Sequence, residues 1–225
     1  MEKRKTILLL IIILFSLIVV SFILFPYQHY LILSLAIIGI IFFIFFTRFE
    51  IRKIKAREIV ILAILAATAA ISRVPFAGLP SIQPTSFVII TVGLVFGAES
   101  GFLVGAVAAI VSNIFLGQGP WTPWQMFAWG TMGLSAGLLR MFLCKKWMQC
   151  FFGFIWGFVF GWIMNLWIIT SNAQNFSWEF LASVYFSSIS HDLAHAICNV
   201  VFIIIFSTSW VKILQRFKRK HGLLN

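Results

Sequence analysis

The chain has 225 residues, of which 61% are hydrophobic and 10% are charged. Soluble domains average about 45–50% apolar and about 25% charged residues. Here the apolar residues recur in runs of roughly 17–20, the length that crosses about 30 Å of hydrocarbon in a helix. This composition excludes a soluble enzyme, a disordered chain and a secreted disulfide scaffold. It predicts an all-α, multi-pass protein of the cell membrane.

Eight membrane spans are predicted, and the first follows the basic residues Lys3, Arg4 and Lys5. Its apolar run is too long for a signal-peptide core and has no small-residue cleavage site, so we expect a retained helix. The spans, in chain order, are 7–25, 30–47, 58–73, 85–98, 101–116, 125–143, 151–170 and 186–209.

The net charge of +11 is expected to reflect orientation in the bilayer rather than nucleic-acid binding. Cytoplasmic flanks of membrane helices collect Lys and Arg. With eight spans and a cytoplasmic N-terminus, every Lys and Arg except Arg73 lies on the inner side. The charges therefore predict that both termini are cytoplasmic.

Composition divides the chain into four parts. Residues 1–47 form a transmembrane hairpin rich in Leu, Ile and Phe, and residues 48–57 form a basic cytoplasmic linker. All but one of the 15 glycines and all but one of the six prolines follow this linker. We therefore expect function in the six-helix membrane domain 58–209, which precedes a basic cytoplasmic tail, 210–225.

Small residues at helical spacing line three spans of this domain. In a bilayer such residues allow helices to approach closely. They pack helices within one subunit, or they form a docking surface for another membrane subunit. The second role is considered for the alanines that follow the basic linker. The rows are Ala63, Ala66, Ala67 and Ala70; Gly101, Gly105 and Ala109; and Gly153, Gly157 and Gly161.

Two outer loops are stiffened by proline and glycine. The segment 117–129, GQGPWTPWQMFAW, is predicted to place Trp121 and Trp124 on an ordered loop and Trp129 at the start of the next helix. An interfacial aromatic belt explains one or two tryptophans. A Trp-x-x-Trp beside Gln118 and Gln125 favours a lid over a partly aromatic ligand.

The second loop, 74–84, has Pro75, Pro80 and Pro84, with Arg73 at its base. Polar residues inside helices are costly in a bilayer, so they usually face a protein interior or a cavity. They either hold helices together or form the floor of a site for a polar solute. Those in the last four spans are Asn113, Asn165, His191, Asp192, His195 and Asn199. Residues 191, 195 and 199 are expected on one stripe, with Asp192 at its margin.

A metal-dependent hydrolase is a weaker alternative. His191-Asp-Leu-Ala-His195 has the two-histidine spacing of zinc hydrolases, but Asp stands where their general base is Glu, and no convincing third ligand is present. A structural or assembly protein is a further alternative, based on the glycine rows. The chain lacks a phosphate-binding loop for ATP, so any uphill transport takes its energy from elsewhere.

Residues 58–209 resemble the substrate-binding S component of energy-coupling factor (ECF) transporters. The resemblance rests on the alanine pairs, on GFLVGAVAAIVSNIFLGQGPWTPWQMFAWG at 101–130 and on HDLAHAICN at 191–199. It covers about two thirds of the chain, and the hairpin 1–47 departs from the minimal six-helix pattern.

This resemblance implies a non-enzymatic, vitamin-capturing subunit without a cofactor of its own. Its partners would be a membrane scaffold subunit and two ABC ATPases that consume ATP. It implies docking through Ala63, Ala66, Ala67 and Ala70, and a vitamin near the outer surface under loops 74–84 and 117–124. The segment 117–129 is most similar to cobalamin-type S components, with riboflavin, folate and pantothenate as alternatives. The candidate binding residues are Arg73, Asn113, Gln118, Trp121, Trp124, Gln125, Trp129, Asn165, His191, Asp192, His195 and Asn199.

Overall fold

A computed structural model of the chain describes residues 35, 36, 38–40, 42, 43 and 56–223. Short 3-10 turns at Val74–Phe76 and Ala173–Asn175 follow two of the helices. The helices from residue 56 onward are α1 (Ala56–Ser72), α2 (Thr85–Phe96), α3 (Ala98–Leu116), α4 (Thr122–Leu138), α5 (Lys146–Ser171) and α6 (Trp178–His221). The described residues contain no strand, which confirms the all-helical prediction for this part of the chain.

The six helices lie over the six spans predicted between residues 58 and 209. Four helical segments are long and apolar enough to cross a membrane, and α2 is a shorter apolar helix. The four are Ala56–Phe76, Ala98–Leu116, Lys146–Ser171 and Trp178–His221. The total of eight spans and the cytoplasmic placement of both termini stay predictions.

Two predicted boundaries differ from the structure or fall outside it. The basic tail 210–225 is not a separate segment up to residue 221, because α6 continues without a break to His221. Most of the hairpin 1–47 and of the linker 48–57 lies outside the described residues. The seven described residues of the hairpin are helical.

The bundle has two chemically distinct ends. At one, which we call the loop end, lie the connections 73–84, 117–121 and 172–177. At the other, the basic end, the Lys218 ammonium donates a hydrogen bond of 3.1 Å to the carbonyl oxygen of Val95 at the end of α2. Among the lysines and arginines that the structure describes, Arg73 alone lies at the loop end.

Helix α2 occupies the centre of the bundle. All of its residues except Leu94 are buried, and Phe87 packs against three aromatic rings of α6, those of Phe202, Phe206 and Trp210. A helix surrounded on all sides by other helices is apolar around its whole circumference. Its polar residues Thr85, Ser86 and Thr91 are therefore inside the protein rather than facing lipid.

Glycines bring two helix pairs into backbone contact. In the α3–α4 pair, a Cβ atom added to Gly133 would lie 2.2 Å from the carbonyl oxygen of Gly101. In the α5–α6 pair, a Cβ atom on Gly157 would lie 2.4 Å from the Cα of Ala196. Such approach is possible only without a side chain. Both glycine rows therefore pack helices within this one subunit.

The alanine row of α1 divides between two environments. Ala66 and Ala70 are buried inside the bundle, whereas Ala63 is exposed and Ala67 is half-buried. The expectation of four alanines on a single docking face is therefore not met in this structure. Only Ala63 and Ala67 lie where a partner subunit can reach them.

We expect Gly133→Ala to destabilise the folded protein by about 1–3 kcal/mol, the usual effect of overpacking a close interface. Gly39→Ala is the matched control, because Gly39 is helical and exposed with nothing within 4 Å of an added Cβ atom. Thermal unfolding of both variants in the same detergent measures the difference. Equal midpoints for the two variants would contradict the close α3–α4 contact.

Candidate functional site

Arg73 follows the last turn of α1 and is held by α3 and α4. Its Nη1 donates hydrogen bonds to the hydroxyl of Ser112 (3.1 Å) and to Oδ1 of Asn113 (3.4 Å). Its guanidinium carbon lies 4.9 Å from the centre of the Trp129 ring. A cation over an indole face is attracted by the negative charge density of the ring. The loop end thus has a half-buried cation over the face of an aromatic ring.

Ser86, at the start of α2, joins α4 to α6. The indole Nε1 of Trp129 donates to Ser86 Oγ at 3.1 Å, and Ser86 Oγ lies 2.7 Å from Nε2 of His195. Because the serine oxygen already accepts from the indole, its own proton is available for the imidazole. The Phe160 ring packs against both Trp129 (5.1 Å between centroids) and His195 (4.9 Å).

Asn113, near the end of α3, holds the first turn of α4. Its Nδ2 donates to Oε1 of Gln125 at 2.8 Å and to Oγ1 of Thr122 at 3.1 Å. The Thr122 hydroxyl in turn donates to Oε1 of Gln118 at 3.0 Å. Gln118 also donates to the carbonyl oxygen of Ile110 at 2.9 Å. The loop 117–121 is therefore fixed by side-chain hydrogen bonds to α3 and α4.

These contacts form one continuous set, which we call the loop-end network. It runs from the exposed Gln118 to the buried His195 and draws on four of the six helices and on Arg73, which directly follows α1. Of the predicted binding residues it brings together Arg73, Asn113, Gln118, Gln125, Trp129 and His195. Its other members are Ser86, Ser112 and Thr122. The polar groups that are costly in a bilayer are thus paired with one another at a single place.

The two lid tryptophans lie in different environments. Trp121 is half-buried, its ring close to the backbone of Gly119 and 6.3 Å from the ring of Trp167 on α5. The prediction that Trp124 lies on the loop is wrong, because α4 already begins at Thr122. Trp124 is buried, with 6% of its surface exposed, and no residue that the structure describes accepts a hydrogen bond from its indole Nε1.

Three further predicted residues, Asn165, Asp192 and Asn199, form a separate seam between α5 and α6. Asn165 donates to the Ser188 hydroxyl at 2.8 Å, and Ser188 donates to Oδ2 of Asp192 at 3.0 Å. A Cβ atom on Gly161 would lie 1.8 Å from Asp192 Oδ1, so the glycine provides the space for this carboxylate. Asn199 donates to the carbonyl oxygen of Gly153 at 2.9 Å. These contacts hold two helices together.

The predicted histidine stripe is wrong at its first member. His191 is exposed and lies beside Ser190, whereas Asp192, His195 and Asn199 are buried. The inward face of α6 thus includes Asp192, which we expected at the margin, and leaves out His191.

Comparison with known proteins agrees with this architecture. A sequence model of the family described as ECF-type riboflavin transporter, S component, matches residues 53–216. The chain belongs to this family. The family is a transporter component and not an enzyme, and together with the four apolar helical segments it supports a membrane protein.

Three UPF0397 proteins are similar to part of the chain. That of Vibrio atlanticus strain LGP32 is 31% identical over 99 residues, covering 42% of this chain and 54% of that protein. That of Aliivibrio salmonicida is 31% identical over 98 residues, with 41% and 53% covered, and that of Aliivibrio fischeri strain MJ11 is 31% identical over 90, with 38% and 49% covered. The chain spans about half the length of the curated relatives it matches. No solved structure matches it.

The two histidines of the hydrolase alternative do not converge in this S component. His195 is buried and lies within hydrogen-bond distance of Ser86, whereas His191 is exposed. Among residues 56–223 and the described residues before them, no group of three or more His, Cys, Asp or Glu side chains could hold a metal ion. The His-x-x-x-His spacing therefore does not form a shared ligand pair here.

Four residues of the site were not predicted from the sequence. Ser86, Ser112 and Thr122 are small hydroxyl residues that lie in or next to apolar helices, and Trp167 is one of several aromatic residues of α5. The rule that polar groups inside a bilayer face the interior applies to serine as well as to asparagine. Applied to hydroxyls at the outer ends of the predicted spans, it would have found Ser86 and Ser112.

We expect Ser86→Ala to destabilise the protein by about 1–3 kcal/mol, because the buried Trp129 N–H and His195 Nε2 lose their common partner. Ser183→Ala is the matched control, since Ser183 is an exposed residue of α6 that bonds only its own helix backbone. Thermal unfolding monitored by circular dichroism measures both. An unfolding midpoint for Ser86→Ala as high as that of the control would contradict the central role of Ser86.

Proposed function

We propose that this S component captures a vitamin at the loop end for an ATP-driven ECF importer, and that the vitamin is cobalamin. The observation that carries the proposal is the loop-end network. It collects one cation, three amides and an indole N–H at one end of a membrane bundle. A site that orients a ligand by a few well-placed polar groups within apolar walls has this composition.

Capture proceeds by exchange of hydrogen bonds. Each buried polar group must keep a partner, so an incoming ligand has to replace the contacts that it breaks. The longest bond of the network joins Arg73 to Asn113, at 3.4 Å, and the guanidinium is half-buried. We infer that the ligand enters here, accepts a hydrogen bond from Arg73 and donates one to Oδ1 of Asn113.

The chemistry of the loop supports cobalamin. This vitamin is large and carries peripheral amides and a phosphate. The amides of Gln118 and Asn113 can pair with such amides, and the Arg73 guanidinium can pair with a phosphate. Trp121, seated on Trp167, offers an extended aromatic surface for a bulky ligand.

Riboflavin is the second candidate, and two observations favour it. The description of the matched family names riboflavin. In addition, the guanidinium carbon of Arg73 lies 4.9 Å from the centre of the Trp129 ring, and a flat ring system that displaces the arginine can stack on this indole.

Binding to the purified chain in lipid nanodiscs tests both candidates. Cobalamin retained through gel filtration is read from its visible absorption, and riboflavin from the quenching of its own fluorescence. We expect cobalamin to be retained at one molecule per chain. Retention of riboflavin alone would mean that riboflavin, not cobalamin, is the substrate. If none of cobalamin, riboflavin, folate and pantothenate is retained, vitamin capture is overturned.

The position of Trp121 gives a sharper test of the lid. In Gly119→Ala the added Cβ atom would lie 2.2 Å from the Trp121 ring, so the ring must move away from Trp167. We expect the vitamin affinity to fall about tenfold, the effect of about 1.4 kcal/mol. Gly78→Ala, in the other outer loop, meets nothing within 4 Å and should bind like the wild type. Equal affinities for the two variants would contradict the lid role of Trp121.

We further propose that Ala63 and Ala67 dock on the scaffold subunit, whose two ABC ATPases supply the energy. Ala63→Trp places a large ring on the exposed face of α1 and should abolish vitamin uptake by cells. Vitamin binding by the purified variant should be unchanged, because Ala63 is exposed on the outer face of α1 and lies ten residues before Arg73. Ile155→Trp, on the exposed face of α5, is the control. Normal uptake by Ala63→Trp would contradict docking through this face.

A further inference from the structure

A short segment ahead of the six-helix domain packs beside the vitamin site. It consists of the described residues 35, 36, 38–40, 42 and 43, and we call it the flank segment. It lies outside residues 53–216, the part that the family model matches. Its role therefore does not follow from membership of the family.

The flank segment presents one face to the bundle. Ile38 and Phe42 are buried, with 3% and 8% of their surfaces exposed, while Phe43 is 71% exposed. The Phe42 ring lies 5.7 Å from the ring of Phe102 on α3. Together these residues form a hydrophobic cluster that also contains Ala106, Trp124 and Leu134.

Two sets of contacts connect this cluster to residues of the proposed vitamin site. The Phe102 ring packs against Gly130, where an added Cβ atom would lie 2.8 Å from the ring. Gly130 directly follows Trp129, whose indole holds Ser86 and carries Arg73 on its face. Trp124 directly precedes Gln125, the partner of Asn113. Both sets of contacts run through helix α4.

Trp124 depends on packing for its orientation. Its indole N–H is buried, and among the described residues it has no hydrogen-bond partner. A side chain without a directional bond is held in one rotamer only by the atoms that surround it. Trp124 belongs to the same hydrophobic cluster as Ile38 and Phe42 of the flank segment.

We propose that the flank segment is a lateral brace of the vitamin site, with Phe42 as a positioning residue. Phe42 and Ile38 hold Phe102 and Trp124, and these two rings fix the first two turns of α4. Gln125 and Trp129 are thereby kept in place for the ligand. The effect on the vitamin rests on the proposed function, whereas the effect on Trp124 does not.

Fluorine NMR of the full chain labelled with 5-fluorotryptophan tests the brace without any ligand. The Trp124 resonance is assigned from its loss in Trp124→Phe. In Phe42→Ala we expect this resonance to shift and broaden, and in Phe42→Leu to return toward its wild-type position. Phe43→Ala, one residue away on the exposed side, should leave it unchanged.

Vitamin titration of the same variants in nanodiscs tests the link to the site. We expect Phe42→Ala to weaken binding about three- to tenfold, with Phe43→Ala at the wild-type value. An unchanged Trp124 resonance in Phe42→Ala would overturn the brace. A shifted resonance with unchanged affinity would overturn its link to the vitamin.

The two proposals can fail separately. If the wild-type chain binds no vitamin while the Trp124 resonance still responds to Phe42→Ala, the proposed function fails and the brace stands. If Phe42→Ala does not fold, Ile38→Val replaces it, because loss of one methyl group from the same cluster is a milder change. If the Trp124 resonance is then unchanged in Ile38→Val, the brace is overturned.

Discussion

A single hydroxyl group fixes the centre of this bundle. Ser86 on α2 accepts from the Trp129 indole of α4 and lies within hydrogen-bond distance of His195 on α6. In the apolar interior no water is available to take over either contact, so three helices must meet at this oxygen. Because α2 brings the hydroxyl, it has to be the buried, central helix. The positions of the loops at that end, and with them the candidate site, follow from this arrangement.

Close backbone contact makes the arrangement possible. Gly101 and Gly133 allow α3 and α4 to touch, so that Asn113 reaches across to Gln125 and Thr122. Gly161 in the same way leaves room for the Asp192 carboxylate between α5 and α6. The glycines contribute no side chain to these hydrogen bonds. They set the helix separation at which short polar side chains can pair, and longer separations would leave these groups without partners.

The sequence predicts the helices well and their faces less well. Proline and glycine at Pro84, Gly97 and Gly117 mark where apolar helices start and stop, so the six helices lie over the six predicted spans. Periodicity tells which residues share a face, but the neighbouring helix decides whether that face is buried. Ala66 is therefore inside and Ala63 outside, although both belong to the predicted docking row.

The loop-end network also couples the lid to the interior. Asn113 accepts from Arg73 through Oδ1 and donates to Thr122 through Nδ2, and Thr122 holds Gln118 on the loop. A ligand that takes over the arginine leaves the asparagine oxygen without a donor, and a buried acceptor without a donor is costly. The asparagine can recover a partner only from the ligand or by reorienting. Capture at the proposed site and closure of the loop are thereby two parts of one exchange.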